Sequence, residues 1–232
     1  ESYRSDSVYK NDISGEFWNK GANFYEQNRN KLGVTLDLSK PEGLAILREL
    51  VSVADIFSEN FTPRVIKNFG LEYEDLKKIK PDIIMVSSTG YGFYGPWANY
   101  GATGPATEGA AGLAYQTGYA GSDSPMMSEI PYTDYTSGEH TVFGVMAALM
   151  HRLRTGEGQF VDISQTQATS ATIPEILMDY SANKRSGPRM GNQDTAMSPH
   201  GCYPCQGDDR WITIAVATDG QWQAVCRVLR QD

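Results

Sequence analysis

The run Ile83-Ile84-Met85-Val86-Ser87-Ser88 constrains this chain more than any other stretch. It is apolar at nearly every position and lacks the alternation of a half-exposed strand. Such a run predicts the central strand of a parallel sheet, covered on both faces. Upstream, Ala54-Asp55-Ile56-Phe57-Ser58 reads as a second short strand. Two helices are predicted between them: one from about Arg64 to Phe69, ended by Gly70, and one from Tyr73 to Ile79, ended before Pro81. Earlier still, Ser39 is placed as the N-cap of a helix whose first turn holds Pro41 and Glu42, with Leu44, Leu47, Leu50 and Val51 as its apolar face. Lys31 to Leu38 alternates like a half-buried strand. Strand, helix, strand, helix, helix, strand predicts a doubly wound α/β sheet. Ligands of such sheets bind beyond the carboxyl ends of the strands, which here lead into Glu59-Asn60-Phe61-Thr62-Pro63 and the segment Thr89 to Pro96. Neither segment carries a dinucleotide or P-loop fingerprint.

The second half is organised around Pro131-Tyr132-Thr133-Asp134-Tyr135-Thr136-Ser137-Gly138. This motif places Asp134 at the mouth of an apolar run, Val142 to Leu149, predicted to be a buried helix that stops at Thr155-Gly156-Glu157-Gly158. Unpaired backbone N–H groups and the helix dipole favour a negative charge there. Locally, Asp134 reads either as a helix cap or as an ionised nucleophile in a Gly-lined site. A Gly/Ala-rich helix holding Glu108 runs up to Leu113, and a polar loop spans Gly118 to Glu129. Gly158 to Ser164 reads as a strand feeding a helix from Gln165 to about Asn183. Asp162, at that junction, is read as structural, capping or pairing with Arg or Lys. The polar segment from Asn183 to Pro199 reads as a linker or crossing segment, Arg210 to Val216 as a strand and Asp219 to Leu229 as a helix. Residues Glu1 to Asn28 show no period and are expected to be irregular.

Composition excludes several classes. With a net charge of −8 at pH 7, the chain would be repelled by nucleic-acid phosphates. No apolar run is long enough to cross a membrane, and no signal peptide opens the sequence. Its three cysteines, Cys202, Cys205 and Cys226, are too few and odd in number for a disulfide scaffold, so a reducing cytoplasm is expected. Cys202 and Cys205 have CxxC spacing but no second pair, and no metal site is expected. His140 and His151 have no Ser or Cys partner at a recognised spacing, and read as a boundary and an exposed histidine. Tyr91, Phe93, Tyr94, Trp97 and Tyr100 read either as an aromatic wall or as packing. An opening without Met and an end within a helix, at Arg230-Gln231-Asp232, read as cuts through a larger protein of which the 232 residues are a fragment.

Taken in order, Asn28-Arg29-Asn30-Lys31, Leu36-Asp37, Pro41-Glu42-Gly43, Ala54-Asp55, Glu59-Asn60-Phe61, Pro81, Gly90-Tyr91-Gly92 and Gly95-Pro96 form a specific pattern. It continues through Asp134, Ser137-Gly138, Arg154-Thr155-Gly156, Gly158-Gln159 and Val161-Asp162-Ile163-Ser164. From about residue 28 onward the chain resembles the family III coenzyme A-transferases, the group of formyl-CoA transferase and carnitine CoA-transferase. The resemblance implies interlocked homodimers with a large Rossmann-like domain and a smaller α/β domain. On this chain that gives residues 1–182 as the partial CoA-binding domain, 183–199 as linker and 200–232 as the start of the small domain. It also implies that Asp134 is the covalent nucleophile in moving CoA from an acyl-CoA donor to a carboxylic acid acceptor. CoA enters as a thioester substrate, with no tightly bound cofactor.

By the same resemblance CoA lies near Asn60 and Phe61. Lys31 and Arg64 are added because its phosphates need cations; each reads equally as a solvated surface charge. The family's first strand is absent upstream of Glu1, and the Gly-rich loop that covers the aspartate is expected beyond Asp232. Racemases of the superfamily pair the equivalent aspartate with a histidine whose place falls near Thr103, where this chain has none. An acyl-CoA racemase or epimerase is therefore the alternative, followed by a non-catalytic CoA-binding subunit.

Overall fold

A computed structural model describes residues 8–230. Its contacts divide the chain into two units, Glu1–Leu47 and Arg48–Asp232. In the second unit, β2 (Ile84–Thr89) is the middle strand of a three-stranded parallel sheet, between β1 (Ile56–Glu59) and β3 (Phe160–Ser164). Ile84, Met85 and Val86 are wholly buried, as is Ile83 just ahead of them. Continuous apolarity thus corresponds to a strand covered on both faces, and the fold is mixed α/β with a parallel sheet. Parallel pairing brings the carboxyl ends of all three strands to one edge. The register sets Glu59, Ser87 and Asp162 side by side on one rung there.

β1 connects to β2 through α3 (Pro63–Phe69) and α4 (Tyr73–Ile79), each anchored by one wholly buried residue, Ile66 and Leu76. Between β2 and β3 the chain forms α5 (Gly104–Ala111), α6 (Leu113–Gln116) and α7 (Tyr132–Thr155). The break between α5 and α6 falls at Gly112, whose φ of 88° an α-helix cannot include. α7 lays Ala148, Val145 and Leu149 against Ile84, Val86, Ile56 and Val161. Burying each larger aliphatic side chain contributes roughly 1.5–3 kcal/mol. Close approach is possible because Gly144 has no side chain: a Cβ there would lie 2.8 Å from Val161 Cγ1. The far end of α7 is tied down by Arg152. Its guanidinium donates to the Asp55 carbonyl (3.2 Å), the Asp55 carboxylate (2.9 Å) and the Asp82 carbonyl (3.3 Å), ahead of β1 and β2. No helix is long and apolar enough to cross a membrane among the described residues.

Several expectations are corrected. Residues 31–37 form no strand: Leu32 is fully exposed and the segment has no ladder partner among the described residues. Apolar alternation without a neighbouring strand leaves the ladder unpaired, so it does not make a strand. Ser39 does not cap α2 (Pro41–Val53); its N–H and hydroxyl both donate to Asp37 Oδ1, at 3.0 and 2.6 Å, in the turn ahead of the helix. The first segment holds short helical turns, Tyr9–Asn11 and Phe17–Asn19, and α1 (Ala22–Gln27). The helix expected from Gln165 to Asn183 is two, α8 (Gln165–Ser170) and α9 (Pro174–Asn183), divided just before Pro174, which has no N–H to continue the ladder. α7 is not buried all round: Val142, Phe143, Met146, Met150 and Leu153 face outward, Phe143 with 77% of its surface open.

Residues 184–199 contain no helix or strand. They lead into an antiparallel hairpin of β4 (His200–Pro204) and β5 (Trp211–Ala215), then α10 (Asp219–Leu229), started by a capping box between Thr218 and Gln221.

Candidate active site

Asp134 is the third residue of α7, and its side chain caps nothing: α7 has no side-chain cap hydrogen bond. The capping alternative is therefore not realised. The carboxylate is exposed to solvent, and Gln165 Nε2 donates to its Oδ1 at 2.8 Å. Its Oδ2 faces α5, where a Cβ on Gly104 would lie 3.3 Å from it. Among the described residues, Gln165 is the one side chain that donates to this carboxylate.

The helix start that presents Asp134 is held from below. Thr107 and Thr133 are wholly buried, their hydroxyls meet at 2.9 Å, and both reach the Gly104 carbonyl, at 2.9 and 3.3 Å. They clasp the first turns of α5 and α7 together without adding a charge beside Asp134. Glu108, buried one turn further along α5, accepts from the Ser128 N–H (2.9 Å) and hydroxyl (2.7 Å) and so anchors the polar loop before α7. Gln165 is held equally firmly. Ser164 caps α8 through Gln167 N–H, and Thr166 donates to the Gly90 carbonyl from its N–H (3.0 Å) and hydroxyl (2.8 Å). That pair of bonds joins the end of β3 to the loop that follows β2.

Asn60, Phe61 and Arg64 lie together where β1 turns into α3, all three exposed. Phe61 packs edge-on against Phe69, with centroids 6.4 Å apart, and Arg64 N–H donates to Asn99 Oδ1 at 3.1 Å. Lys31 belongs to the first unit, where its ammonium reaches Asn28 Oδ1 at 3.4 Å. Sequence reasoning brought these residues forward but missed what orders them. Phe61 N–H donates to Glu59 Oε2 at 2.7 Å, and Phe93 N–H donates to Asp162 Oδ1 at 2.9 Å. Asp162 is thus structural, as expected, but through a backbone N–H of the Gly-rich loop after β2 and not through an Arg or Lys among the described residues. Burial raises the carboxyl pKa of both acids, against the lowering effect of these N–H donors. Ser87 Oγ, between them on the rung, lies close enough to lower that of Glu59 but makes no hydrogen bond of normal geometry with it. Alternation along the strands placed the three side chains on one face, and only the register set them side by side.

The fold and site define an α/β protein with a parallel sheet, whose strand-end loops and helix-start carboxylate lie at the edge where ligands of such sheets bind. Residues 3–232 match the family described as CoA-transferase family III, and the chain belongs to that family. It is 34% identical over 208 residues to succinate–glutarate CoA-transferase of Agrobacterium fabrum, covering 90% of this chain and 51% of that protein. It is 33% identical to acetyl-CoA:oxalate CoA-transferase of Acetobacter aceti, with 87% and 51% covered. Among solved structures, a CAIB/BAIF family protein from Brucella suis superposes with a TM-score of 0.79 at 32% identity, covering 88% of this chain and 53% of that one. The chain spans about half the length of the curated relatives it matches.

Proposed function

We propose that the protein carrying this chain is a CoA-transferase that moves coenzyme A between carboxylic acids, with Asp134 as its covalent nucleophile. Asp134 Oδ2 attacks the thioester carbonyl of the donor, giving a mixed anhydride and CoA thiolate. The thiolate attacks the Asp134 carbonyl, releasing the donor acid and leaving an aspartyl-CoA thioester. The acceptor carboxylate attacks that thioester, forming a second anhydride and freeing CoA thiolate. Attack of CoA on the acceptor's carbonyl gives the new acyl-CoA and regenerates the carboxylate. Asn60 and Phe61 would contact CoA, with Lys31 and Arg64 as candidate cations for its phosphates. The reading includes a Rossmann-like large domain over residues 1–182, a linker over 183–199, a small domain from 200 onward, an interlocked homodimer and a cytoplasmic enzyme.

The observation that carries this proposal is the setting of the Asp134 carboxylate. One oxygen is held by a neutral amide, and the other lies beside Gly104, which has no side chain to shield it. A racemase is the less favoured reading: racemisation needs a second acid/base group across the substrate Cα, and the histidine that serves in the superfamily's racemases has no counterpart near Thr103. The relatives are named for succinate and glutarate and for acetyl-CoA and oxalate, so succinyl-CoA is the first donor to try.

The test uses the full-length protein. Incubated with acyl-CoA and then hydroxylamine or borohydride, it should carry a modification on the peptide holding Asp134, absent in Asp134→Asn. An unmodified Asp134 in a protein that binds the donor would sink the covalent route.

A further inference from the structure

The proposed cycle contains two kinds of carbonyl attack. In the first, Asp134 or CoA thiolate attacks a substrate carbonyl; in the second, CoA thiolate or an acceptor carboxylate attacks the carbonyl of Asp134 itself. We propose that Gln165 is the oxyanion donor for the second kind, stabilising negative charge on Asp134 Oδ1 while the aspartyl-CoA thioester forms and discharges. The inference rests on Asp134 being the nucleophile.

The geometry assigns the two oxygens different tasks. Oδ2 faces Gly104 and is the nucleophilic oxygen; once it carries an acyl group, or is replaced by CoA sulfur, Oδ1 is the remaining carbonyl oxygen. Gln165 Nε2 lies 2.8 Å from Oδ1, within the 2.7–3.1 Å expected of an oxyanion-hole donor. Little reorganisation is needed. Ser164 caps the turn that presents Gln165, and the next residue is fixed twice to the Gly90 carbonyl.

Charge explains why an amide suits this place. In the resting carboxylate about half the charge sits on each oxygen. During attack on the aspartyl carbonyl nearly a full charge collects on Oδ1, and the Gln165 bond strengthens on the way to the tetrahedral adduct. During the opposite step, attack by Oδ2, charge leaves Oδ1 and the bond weakens. Only an interaction stronger in the transition state than before it accelerates a step, so Gln165 speeds one kind of attack and mildly restrains the other. A cation at this position would hold the resting carboxylate too tightly to allow that exchange. Atoms balance without a co-reactant: each attack forms one bond to the Asp134 carbonyl carbon, and collapse of the oxyanion expels the carboxylate or CoA thiolate.

The experiment compares full-length wild type with Gln165→Met and Gln165→Leu, both lacking the N–H donor and neither adding a charge beside Asp134. Protein is loaded with succinyl-CoA and desalted, and a large excess of acceptor acid is added. Discharge of the Asp134 adduct is followed by quenching and intact mass. In a separate single turnover, the first release of free thiol from succinyl-CoA reports attack by Asp134. Discharge is expected to slow about 10²-fold or more in both variants, the usual effect of losing one oxyanion donor. First thiol release should stay within about threefold of wild type, because the donor does not strengthen in that step. Equal slowing of both steps would mean that Gln165 merely orients the carboxylate, and wild-type discharge would mean that it is idle; either overturns the proposal. Should Gln165→Met fail to fold, Gln165→Leu carries the comparison. Failure of wild type to form any adduct on Asp134 refutes the nucleophile reading, a different result from either of these.

Discussion

Glu59 shows how much one residue can hide inside a motif. In the sequence it is the first letter of Glu59-Asn60-Phe61; in the structure it is the buried acceptor that fixes the Phe61 N–H. Burial raises its folded-state pKa above the ordinary carboxyl value of about 4.5, which the unfolded chain keeps. Its stabilising contribution is therefore fully present below about pH 4.5 and lost as the pH rises through the raised value. Glu59→Gln keeps an acceptor for Phe61, offers its amide to the unpartnered Ser87 hydroxyl and removes the titration. The Tm difference between Glu59→Gln and wild type should thus grow in favour of the variant from pH 4 to pH 8; a difference independent of pH would refute the assignment. Glu59→Ala should instead cost about 1–3 kcal/mol by leaving Phe61 N–H unpaired, read from denaturant unfolding. At Asp134 the close neighbour is Gly104. A Cβ at 3.3 Å forces the carboxylate to move by a few tenths of an ångström, so Gly104→Ala is expected to lower kcat roughly tenfold with little change in Tm. Unchanged kcat would mean that the carboxylate has room to spare. Asp134 was legible as a candidate because it stands beside an apolar run. Gln165 was not, because no local pattern marks a residue whose partner is 31 positions away.

At the scale of elements, α7 carries the most. It joins the sheet to the site: its middle packs on β2 and β3, its last turn is clamped by Arg152 and its first turn presents Asp134. Gly144 sits where the helix comes closest to β3. In an open helix Gly→Ala would stabilise by up to ~1 kcal/mol, but here the added methyl meets the stiff Val161 side chain at 2.8 Å. Gly144→Ala should therefore destabilise by about 1–3 kcal/mol in chemical unfolding, the range for overpacking a close contact. A stabilised variant would mean that helix and strand separate easily. Helix and strand positions were largely legible, since α3, α4 and β2 follow strong local signals: Gly70 closing one helix, Pro81 following the other and an unbroken apolar run. Residues 31–37 misled because alternation describes what a strand needs without supplying a neighbour to pair with.

At the scale of the whole molecule, the outer face of α7 is an exposed apolar surface, with Phe143 and Leu153 about four-fifths open. For the chain as it stands, a polar replacement at such exposed positions should change stability by less than about 0.5 kcal/mol. In the proposed dimer of the full-length protein, a second copy is expected to cover this face. Phe143→Asp should then lower its Tm by several degrees, since an unpaired charge would be buried. A Tm within a degree of wild type would place this face in solvent in the complete protein.

Local chemistry determined the parallel α/β class, most helix ends and the candidacy of Asp134, because each depends on residues within a few positions of one another. Apolar continuity, a closing glycine and a carboxylate at a helix start act over a turn or less. Tertiary structure decided which oxygen of Asp134 is held, which acids buttress the strand-end loops and which face of α7 is left open. Those outcomes depend on register and on packing between distant segments. Residues as far apart as Gln165 and Asp134, or Asp162 and Phe93, meet only when the sheet is assembled.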